Sequence, residues 1–182
     1  MGKRQNKKSS EPQVLWAPWR IAYIMNDDKQ DDECFLCHHN VHPDQDDENL
    51  VVWRSRQGIV VLNRYPYNNG HLLIAPQRHI ADLSEATEEE LLDLLRQVRD
   101  TQHCLSRAIN PHGFNIGINI GRCAGAGLPG HLHVHVVPRW EGDTNFMNVC
   151  SHTDVISQSM KELLTLLRQT AKDNHLPNMG ES

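Results

Sequence analysis

Residues 131–137 read His-Leu-His-Val-His-Val-Val, and this alternation is the most informative pattern in the sequence. Because successive side chains of a β-strand point to opposite faces, the three histidines would line one face and the aliphatic residues the other. The three imidazoles would stand in a row, roughly 6.5 Å apart. We therefore expect a strand over 131–138 with one chemically active face and one face turned to the core.

The histidines predict nucleophilic chemistry on a phosphate. A neutral imidazole is a nucleophile near pH 7, because its unperturbed pKa is about 6.5. It can displace a leaving group and hold a phosphoramidate until a second acceptor removes the phosphoryl group. The glycine-rich loop 121–130 precedes the strand, and its backbone N–H groups, including those of Gly125 and Gly127, can approach phosphoryl oxygens.

Two other interpretations of these residues stay open. Three histidines on one strand face are also compatible with a transition-metal site, or with surface residues that have no role. The loop lacks the Lys-Ser/Thr pair of a P-loop, so a flexible turn is its alternative.

Other strands are predicted upstream. Residues 114–120 (FNIGINI) alternate between apolar and polar side chains, as a half-buried strand does. Residues 58–64 and 71–76 are rich in β-forming residues and flank a turn that contains Asn68-Asn69-Gly70, which predicts a β-hairpin.

Two amphipathic helices are predicted. A capping box of Thr87 and Glu90 opens a helix over 88–109, and Pro111 and Gly113 end it. Its apolar positions are Leu91, Leu94, Leu95, Val98, Leu105 and Ile109. The apolar positions of a C-terminal helix are Val155, Ile156, Met160, Leu163, Leu164 and Leu167. Hairpin-linked strands with helices in separate blocks indicate an α+β fold with an antiparallel sheet.

The chain of 182 residues is the length of one domain, which we place at 13–175 between a disordered basic tail (1–12) and a flexible tail (176–182). The basic tail holds four of the 18 basic residues and one of the 23 acidic ones, which leaves 14 basic against 22 acidic residues, a net charge of −8. Such a body disfavours general nucleic-acid binding, although the tail itself could be a weak nucleic-acid tether. No apolar run is long enough for a membrane span or a secretion signal, so we expect a soluble cytoplasmic protein without a membrane partner.

Five cysteines, an odd number in a chain without an export signal, make a disulfide framework unexpected. Cys104, Cys123 and Cys150 stand alone and are interpreted as small core or near-surface residues. Cys34 and Cys37 form a C-x2-C pair inside an acidic stretch, which we expect to be a solvated loop around an ordered knot.

The stretch from Asn119 to Arg139 resembles the signature of the histidine triad (HIT) superfamily. Further matching segments follow in the family's order and span about residues 34 to 147: Cys34-x2-Cys37, Val61-Leu62-Asn63, Gly70-His71-Leu72-Leu73-Ile74 and Pro76-Gln77-Arg78-His79-Ile80. The resemblance implies a HIT-like antiparallel sheet with a long helix and a C-terminal helix, assembled as a homodimer.

The same resemblance assigns roles to single residues. His133, the middle histidine of the catalytic set His131, His133 and His135, would be the nucleophile, and His135 would contact the transferred phosphate. Asn63 would hydrogen-bond the ribose hydroxyls, although a polar residue before a turn is its alternative. Asn119 would contact phosphate or order the loop. Gly127 departs from the family, where many members have a polar side chain, so only its backbone N–H can serve there.

In zinc-bearing branches of the superfamily the ligands correspond to Cys34, Cys37, His79 and His131. Two thiolates and two imidazoles make a closed tetrahedral site, which is structural rather than catalytic. Two free thiols are the alternative, and His38, His39 and His42 lie close enough in sequence to compete as ligands.

A finer resemblance, to a bacterial branch that includes diadenosine tetraphosphate phosphorylases, rests on Pro138 to Met147 and on Trp16 to Arg20. This branch transfers the nucleotidyl group to inorganic phosphate, and Trp140 would then contact nucleotide, with packing as its alternative. We expect a dinucleoside polyphosphate such as diadenosine tetraphosphate to be the substrate. Hydrolysis of nucleotides or nucleoside phosphoramidates and non-catalytic nucleotide binding are the alternatives.

Overall fold

The computed structural model describes residues 34–143 and 158–177. In chain order the helices and strands are α1 (Phe35–Val41), β1 (Val51–Arg54), β2 (Gly58–Leu62), β3 (Leu72–Pro76), α2 (Glu88–Ile109), β4 (Gly113–Ile118), β5 (Val134–Arg139) and α3 (Met160–Asp173). None of the helices in these two ranges is both long enough and apolar enough to cross a membrane. The predictions about the basic tail, Trp16 to Arg20, residues 144–157 and the last five residues lie outside the described part.

The strands form one sheet in the order β1-β2-β3-β5-β4, with every neighbouring pair antiparallel. The predicted antiparallel sheet and the β2–β3 hairpin are confirmed. Strand β5 lies between β3 and β4, so the histidine segment approaches the sheet at an interior position. Its register pairs His135 with Leu73 on one side and with Gly117 on the other.

Each face of the sheet has its own apolar cluster. The larger cluster joins the sheet to α2 and α3 and includes Leu163, Leu164 and Leu167, which confirms the apolar face predicted for the C-terminal helix. The smaller cluster contains Leu36 of α1 with Val51, Ile59, Val61, Leu73 and Ala75. Because directly paired residues of an antiparallel sheet share a face, His135 lies on the same side as Leu73. The histidine face is therefore opposite the two long helices.

Helix α2 begins and ends as predicted. Thr87 accepts a hydrogen bond from the Glu90 backbone and Glu90 accepts from the Thr87 backbone, the reciprocal pair of a capping box. Asn110, in a left-handed conformation with φ 46°, follows the last residue. One apolar assignment was wrong, because Leu95 is 68% exposed. The side of α2 that faces the sheet instead includes buried Gln97. Its side-chain oxygen accepts a 2.6 Å hydrogen bond from the Trp53 indole N–H, which satisfies this polar group in the core.

The sequence did not predict α1 or β1, and the boundaries of the predicted strands differ by one to three residues. Strand β5 begins at Val134 rather than 131, and β4 ends at Ile118 rather than 120. Residues 131–133 leave the regular ladder: the Leu132 N–H donates to Ile80 O instead (2.6 Å). Strand β4 pairs only with β5 among the described strands, and for that reason its Ile116 remains 45% exposed.

The acidic segment 43–48 holds the edge of the sheet to α3. Asp46 accepts hydrogen bonds from Arg54 Nε (3.1 Å) and Nη2 (2.5 Å). Asp47 forms an ion pair with Arg168, whose guanidinium also donates to Val51 O. Two of the four carboxylates in this segment, those of Asp46 and Asp47, therefore have basic partners on separate elements.

Candidate active site

The three triad histidines do not form an even row. His133 and His135 lie with ring centroids 4.9 Å apart at an interplanar angle of 67°. The His131 ring instead faces His79, with centroids 5.1 Å apart. The expected spacing of roughly 6.5 Å was therefore wrong, because His131 and His133 precede the regular strand and each ring follows its own hydrogen bonds. Geometrically, the triad divides into a pair and a separate third ring.

His133 presents a lone pair on Nε2. Its Nδ1 lies 2.8 Å from His131 O, and because a carbonyl oxygen only accepts, Nδ1 must carry the proton. Burial is the main cause that lowers the pKa of His133 below its ordinary value, so the ring is neutral near pH 7. A buried, neutral imidazole with a free Nε2 is a nucleophile whose attacking atom is already selected.

His71 orients His135, a role that the sequence analysis missed. His71 Nδ1 accepts from the Tyr67 backbone N–H (3.1 Å), so its proton is on Nε2. That Nε2–H donates to His135 Nδ1 at 3.0 Å, which places the His135 proton on Nε2. His71 is fully buried, and a histidine at the start of an apolar strand was the available sequence signal.

The His135 Nε2–H is a donor without a partner. It is buried and has no hydrogen bond among the described residues. Burial and the neighbouring His133 lower the pKa of His135 to about 4, and burial with His135 and His133 lowers the pKa of His71 to about 3. Both rings are therefore neutral near pH 7. The His135 Nε2–H, oriented by His71, lies beside the His133 ring that holds the free lone pair.

Asn63 lies beside His71, and Asn119 lies beside His133. Asn63 Nδ2 is 3.2 Å from His71 Nδ1, and its Oδ1 accepts from the Tyr65 N–H at 3.0 Å. These contacts are those of the turn-forming alternative, and the ribose contact of Asn63 stays a prediction. Asn119 directly follows β4, whose register pairs Ile118 with Val134, so the chain brings Asn119 alongside His133.

The remaining nucleotide-binding predictions fall in two places. Gly125 has φ 84° at the end of a 3-10 turn in the loop before the triad, and exposed Gly127 lies in the same loop. Trp140 follows the far end of β5, where its indole N–H donates to Asn110 O at 3.1 Å. The structure does not bring Trp140 to His133 within one chain. Trp140 therefore makes the kind of contact expected of a packing residue, and its contact with nucleotide stays a prediction.

The four predicted metal ligands converge. One donor atom each from Cys34, Cys37, His79 and His131 lies within 4.8 Å of the others. His38, His39 and His42 do not belong to this cluster. His131 Nδ1 is 3.2 Å from Cys34 Sγ and 3.5 Å from Cys37 Sγ, and His79 Nδ1 is 3.2 Å from Cys37 Sγ.

The donor set fits a tetrahedral zinc site. Bond lengths of roughly 2.3 Å to sulfur and 2.0 Å to nitrogen give an S···N edge of about 3.5 Å, close to the separations observed. His131 Nε2 lies 2.9 Å from Pro76 O, so Nε2 carries the proton and Nδ1 keeps the lone pair that faces the thiols.

Comparisons with known proteins agree with this architecture. The family model described as HIT domain matches residues 44–142. The chain is 37% identical to the AP-4-A phosphorylase of Mycobacterium tuberculosis over 164 residues, which cover 85% of this chain and 82% of that protein. It is also 37% identical over 93 residues to the asymmetrical bis(5'-nucleosyl)-tetraphosphatase of Schizosaccharomyces pombe, over 51% and 50% of the two chains. A crystal structure of a hypothetical histidine triad nucleotide-binding protein from Sulfolobus tokodaii superposes with a TM-score of 0.62 at 29% identity, over 77% of this chain and 93% of that one.

Proposed function

The chain belongs to the HIT domain family, and from this membership and the geometry of the histidines we propose that it cleaves dinucleoside polyphosphates by nucleotidyl transfer to inorganic phosphate. The observation that carries the proposal is the juxtaposition of a free His133 Nε2 lone pair with the unpartnered His135 Nε2–H. The names of the two relatives, a phosphorylase and a tetraphosphatase of dinucleoside tetraphosphates, support the substrate class.

In the first step, His133 Nε2 attacks an α-phosphorus of diadenosine tetraphosphate. A P–N bond forms, the bond from the α-phosphorus to the bridging oxygen of the polyphosphate breaks, and its electron pair leaves with ATP. The imidazole becomes cationic, and its Nδ1–H stays bonded to His131 O, which stabilises the charge. His135 Nε2–H donates to a phosphoryl oxygen, where negative charge develops.

In the second step, an oxygen of inorganic phosphate attacks the same phosphorus. The P–N bond breaks, its electron pair returns to His133 Nε2, and ADP leaves. Water in place of phosphate would release AMP. Since the loop contributes Gly127 where many family members have a polar side chain, the leaving group would meet backbone N–H groups there rather than a side-chain acid.

A product assay tests the proposal. Purified protein is incubated with diadenosine tetraphosphate, with and without phosphate, beside His133→Ala. ATP and ADP that form only with phosphate support phosphorolysis, whereas AMP and ATP formed regardless of phosphate identify a hydrolase. If the wild type turns over no faster than His133→Ala and both bind nucleotide equally, the protein is a non-catalytic nucleotide binder.

We propose that the cluster of Cys34, Cys37, His79 and His131 binds zinc. Its role would be structural, because four protein ligands close the coordination sphere. The ion would tie α1 to the segment that carries His133. Burial and the adjacent Cys34 raise the pKa of Cys37 to about 11 in the metal-free chain, so zinc binding should release protons.

Metal analysis tests the zinc proposal. Cys34→Ser and His131→Ala should lose zinc, while His133→Ala should retain one equivalent. Loss of metal from His133→Ala or His135→Ala, with retention in Cys34→Ser, would instead identify the triad as the metal site.

We propose that two chains pair along β4. The outer edge of β1 is protected, because Arg168 donates to Val51 O, whereas β4 has no such cover among the described residues and exposes Ile116. An open edge with apolar side chains favours pairing with its own copy. In sedimentation velocity, Ile116→Lys should shift a dimeric wild type towards monomer, while Val41→Lys, at a 70% exposed position of α1, should not. A monomeric wild type would contradict the proposal.

A further inference from the structure

The side chain of Tyr67 covers the two hydrogen-bonded imidazoles of His71 and His135. Its ring centroid lies 4.6 Å from that of His71, at an interplanar angle of 35°, and 5.9 Å from that of His135, at an angle of 22°. We propose that Tyr67 is a positioning residue, whose ring fixes the planes of both imidazoles and thereby the direction of the His135 Nε2–H. This inference deepens the proposed function and rests on it.

The hydrogen bond from His71 does not by itself fix the plane of the His135 ring. It selects the tautomer of His135 at a distance of 3.0 Å, but the χ2 torsion of a histidine is broad, so the ring can still tilt. The other end of the ring is not restrained, because His135 Nε2 has no hydrogen bond among the described residues. His133 meets His135 at 67°, whereas the offset, nearly parallel ring of Tyr67 resists a tilt.

The loop between β2 and β3 holds Tyr67 in place. The Tyr67 backbone N–H donates to His71 Nδ1 at 3.1 Å, so the backbone and the ring of one residue contact the same imidazole. The side chain of the next residue, Asn68, donates from Nδ2 to Pro138 O at 3.2 Å. Pro138 belongs to β5, the strand that also contains His135. The loop that presents Tyr67 is therefore attached to the strand that it covers.

The exposure of Tyr67 distinguishes it from a core residue. Its side chain is 58% exposed, so it buries little apolar area, yet His71 behind it has no exposed surface. Tyr65 supplies a matched control in the same loop, because it is 81% exposed and makes no ring contact with a described side chain. The Tyr65 contact with Asn63 Oδ1 comes from its backbone N–H and would remain in Tyr65→Ala.

Carbon-13 relaxation of the histidine rings tests whether Tyr67 restrains His135. In the zinc-loaded, full-length protein, the order parameter of the His135 Cδ2–H bond should fall from about 0.85 in the wild type to below about 0.6 in Tyr67→Ala. Tyr67→Phe keeps the ring and should match the wild type, and so should Tyr65→Ala. Circular dichroism verifies that each variant is folded.

Steady-state kinetics with diadenosine tetraphosphate and phosphate test the consequence for turnover. With about one His135 ring in five still in the wild-type plane, kcat of Tyr67→Ala should fall about fivefold, because a misdirected donor no longer stabilises the developing charge. KM should change by less than about twofold, since this donor acts mainly in the transition state. Tyr67→Phe and Tyr65→Ala should both keep the wild-type kcat.

The proposal is overturned if the His135 order parameter in Tyr67→Ala equals that of the wild type, or if Tyr65→Ala lowers it as much. An equal loss in Tyr67→Phe would assign the effect to the hydroxyl group and overturn it too, as would a mobile His135 ring with unchanged kcat. A wild type without turnover would reject the proposed function instead, and the order parameters alone would then decide whether Tyr67 fixes the ring planes.

Discussion

Replacing His71 tests whether the orientation of His135 matters for turnover. His71 has no exposed surface, and its Nε2–H is the hydrogen bond that places the His135 proton on Nε2. In His71→Leu, His135 Nδ1 loses its donor and the ring is free to adopt the other tautomer. The N–H that we assign to the transferred phosphate would then be absent from the population in that tautomer.

The size of the effect follows from the role of that donor. Loss of one oriented donor to a developing oxyanion lowers kcat by roughly 100-fold to 1000-fold. That loss applies only to molecules whose His135 has lost the donor, so kcat cannot fall by more than the inverse of the fraction that keeps it; with about one ring in ten still in the original tautomer, we expect a fall of about tenfold. The Tyr67 N–H and His135 Nδ1 also lose a buried partner, and each should destabilise the fold by about 1–3 kcal/mol.

His71→Gln separates orientation from folding, because its amide nitrogen can reach the position of the imidazole Nε2 and donate to His135. The assay is kcat with saturating diadenosine tetraphosphate, with urea denaturation run in parallel and the His135 tautomer read from ¹⁵N chemical shifts. We expect His71→Gln to retain activity within about twofold of the wild type, since it keeps the donor. Wild-type kcat in folded His71→Leu would refute the reasoning, as would equal losses in the leucine and glutamine variants.

Three further predictions concern stability. The pKa of His71 is lowered to about 3 in the folded chain, so between about pH 6.5 and 3 the unfolded chain binds a proton that the folded chain does not. For this residue the free energy of unfolding therefore falls by about 1.4 kcal/mol for each unit by which the pH decreases. In urea denaturation from pH 7 to 4, the free energy of unfolding should depend less steeply on pH in His71→Gln, and an identical dependence would contradict this. Glu90→Gln should lower the free energy of unfolding by about 2 kcal/mol at pH 7, because the charge-assisted hydrogen bonds from Arg78 Nε (2.9 Å) and Nη2 (2.8 Å) to the buried carboxylate are lost. An unchanged urea midpoint would show that the ion pair contributes nothing to stability. Gly70→Ala should lower the free energy of unfolding by about 2–4 kcal/mol in the same assay, because φ is +79° and a Cβ would lie 2.8 Å from Ile109 Cδ1. Gly113→Ala is the control: its Cβ meets open space, so the free energy of unfolding should change by less than about 0.5 kcal/mol.

Features encoded over short distances along the chain were predictable. Thr87 and Glu90 lie three residues apart, and the capping box that they predict opens a helix with the expected ends. The hairpin around Asn68-Asn69-Gly70 follows from turn residues between two β-rich runs, and it too is confirmed. In both cases a backbone hydrogen bond or a local dihedral preference is the cause, so neighbouring residues contain the information.

Properties that depend on distant partners were predicted less well. Leu95 fits a helical apolar period but faces solvent, because packing against the sheet places Gln97 opposite the Trp53 indole instead. The even row of three imidazoles was also wrong, since the His131 ring lies against His79 and Pro76, more than fifty residues earlier. Only the zinc ligand set implied by the family resemblance had placed His131 beside His79.

By itself, the sequence determined the alternation that puts the triad histidines beside a sheet, the length of the main helix and the chemical types in the cysteine–histidine set. The tertiary structure alone decided which nitrogen of His131 and of His135 is free. The protons of His133 and His135 are located by a carbonyl oxygen and by His71, and His71 is brought next to His135 only when β3 pairs with β5. The chemical type of a side chain states what it can donate or accept, but for His131 and His135 the partner, and therefore the tautomer, is set by the folding of remote segments against one another.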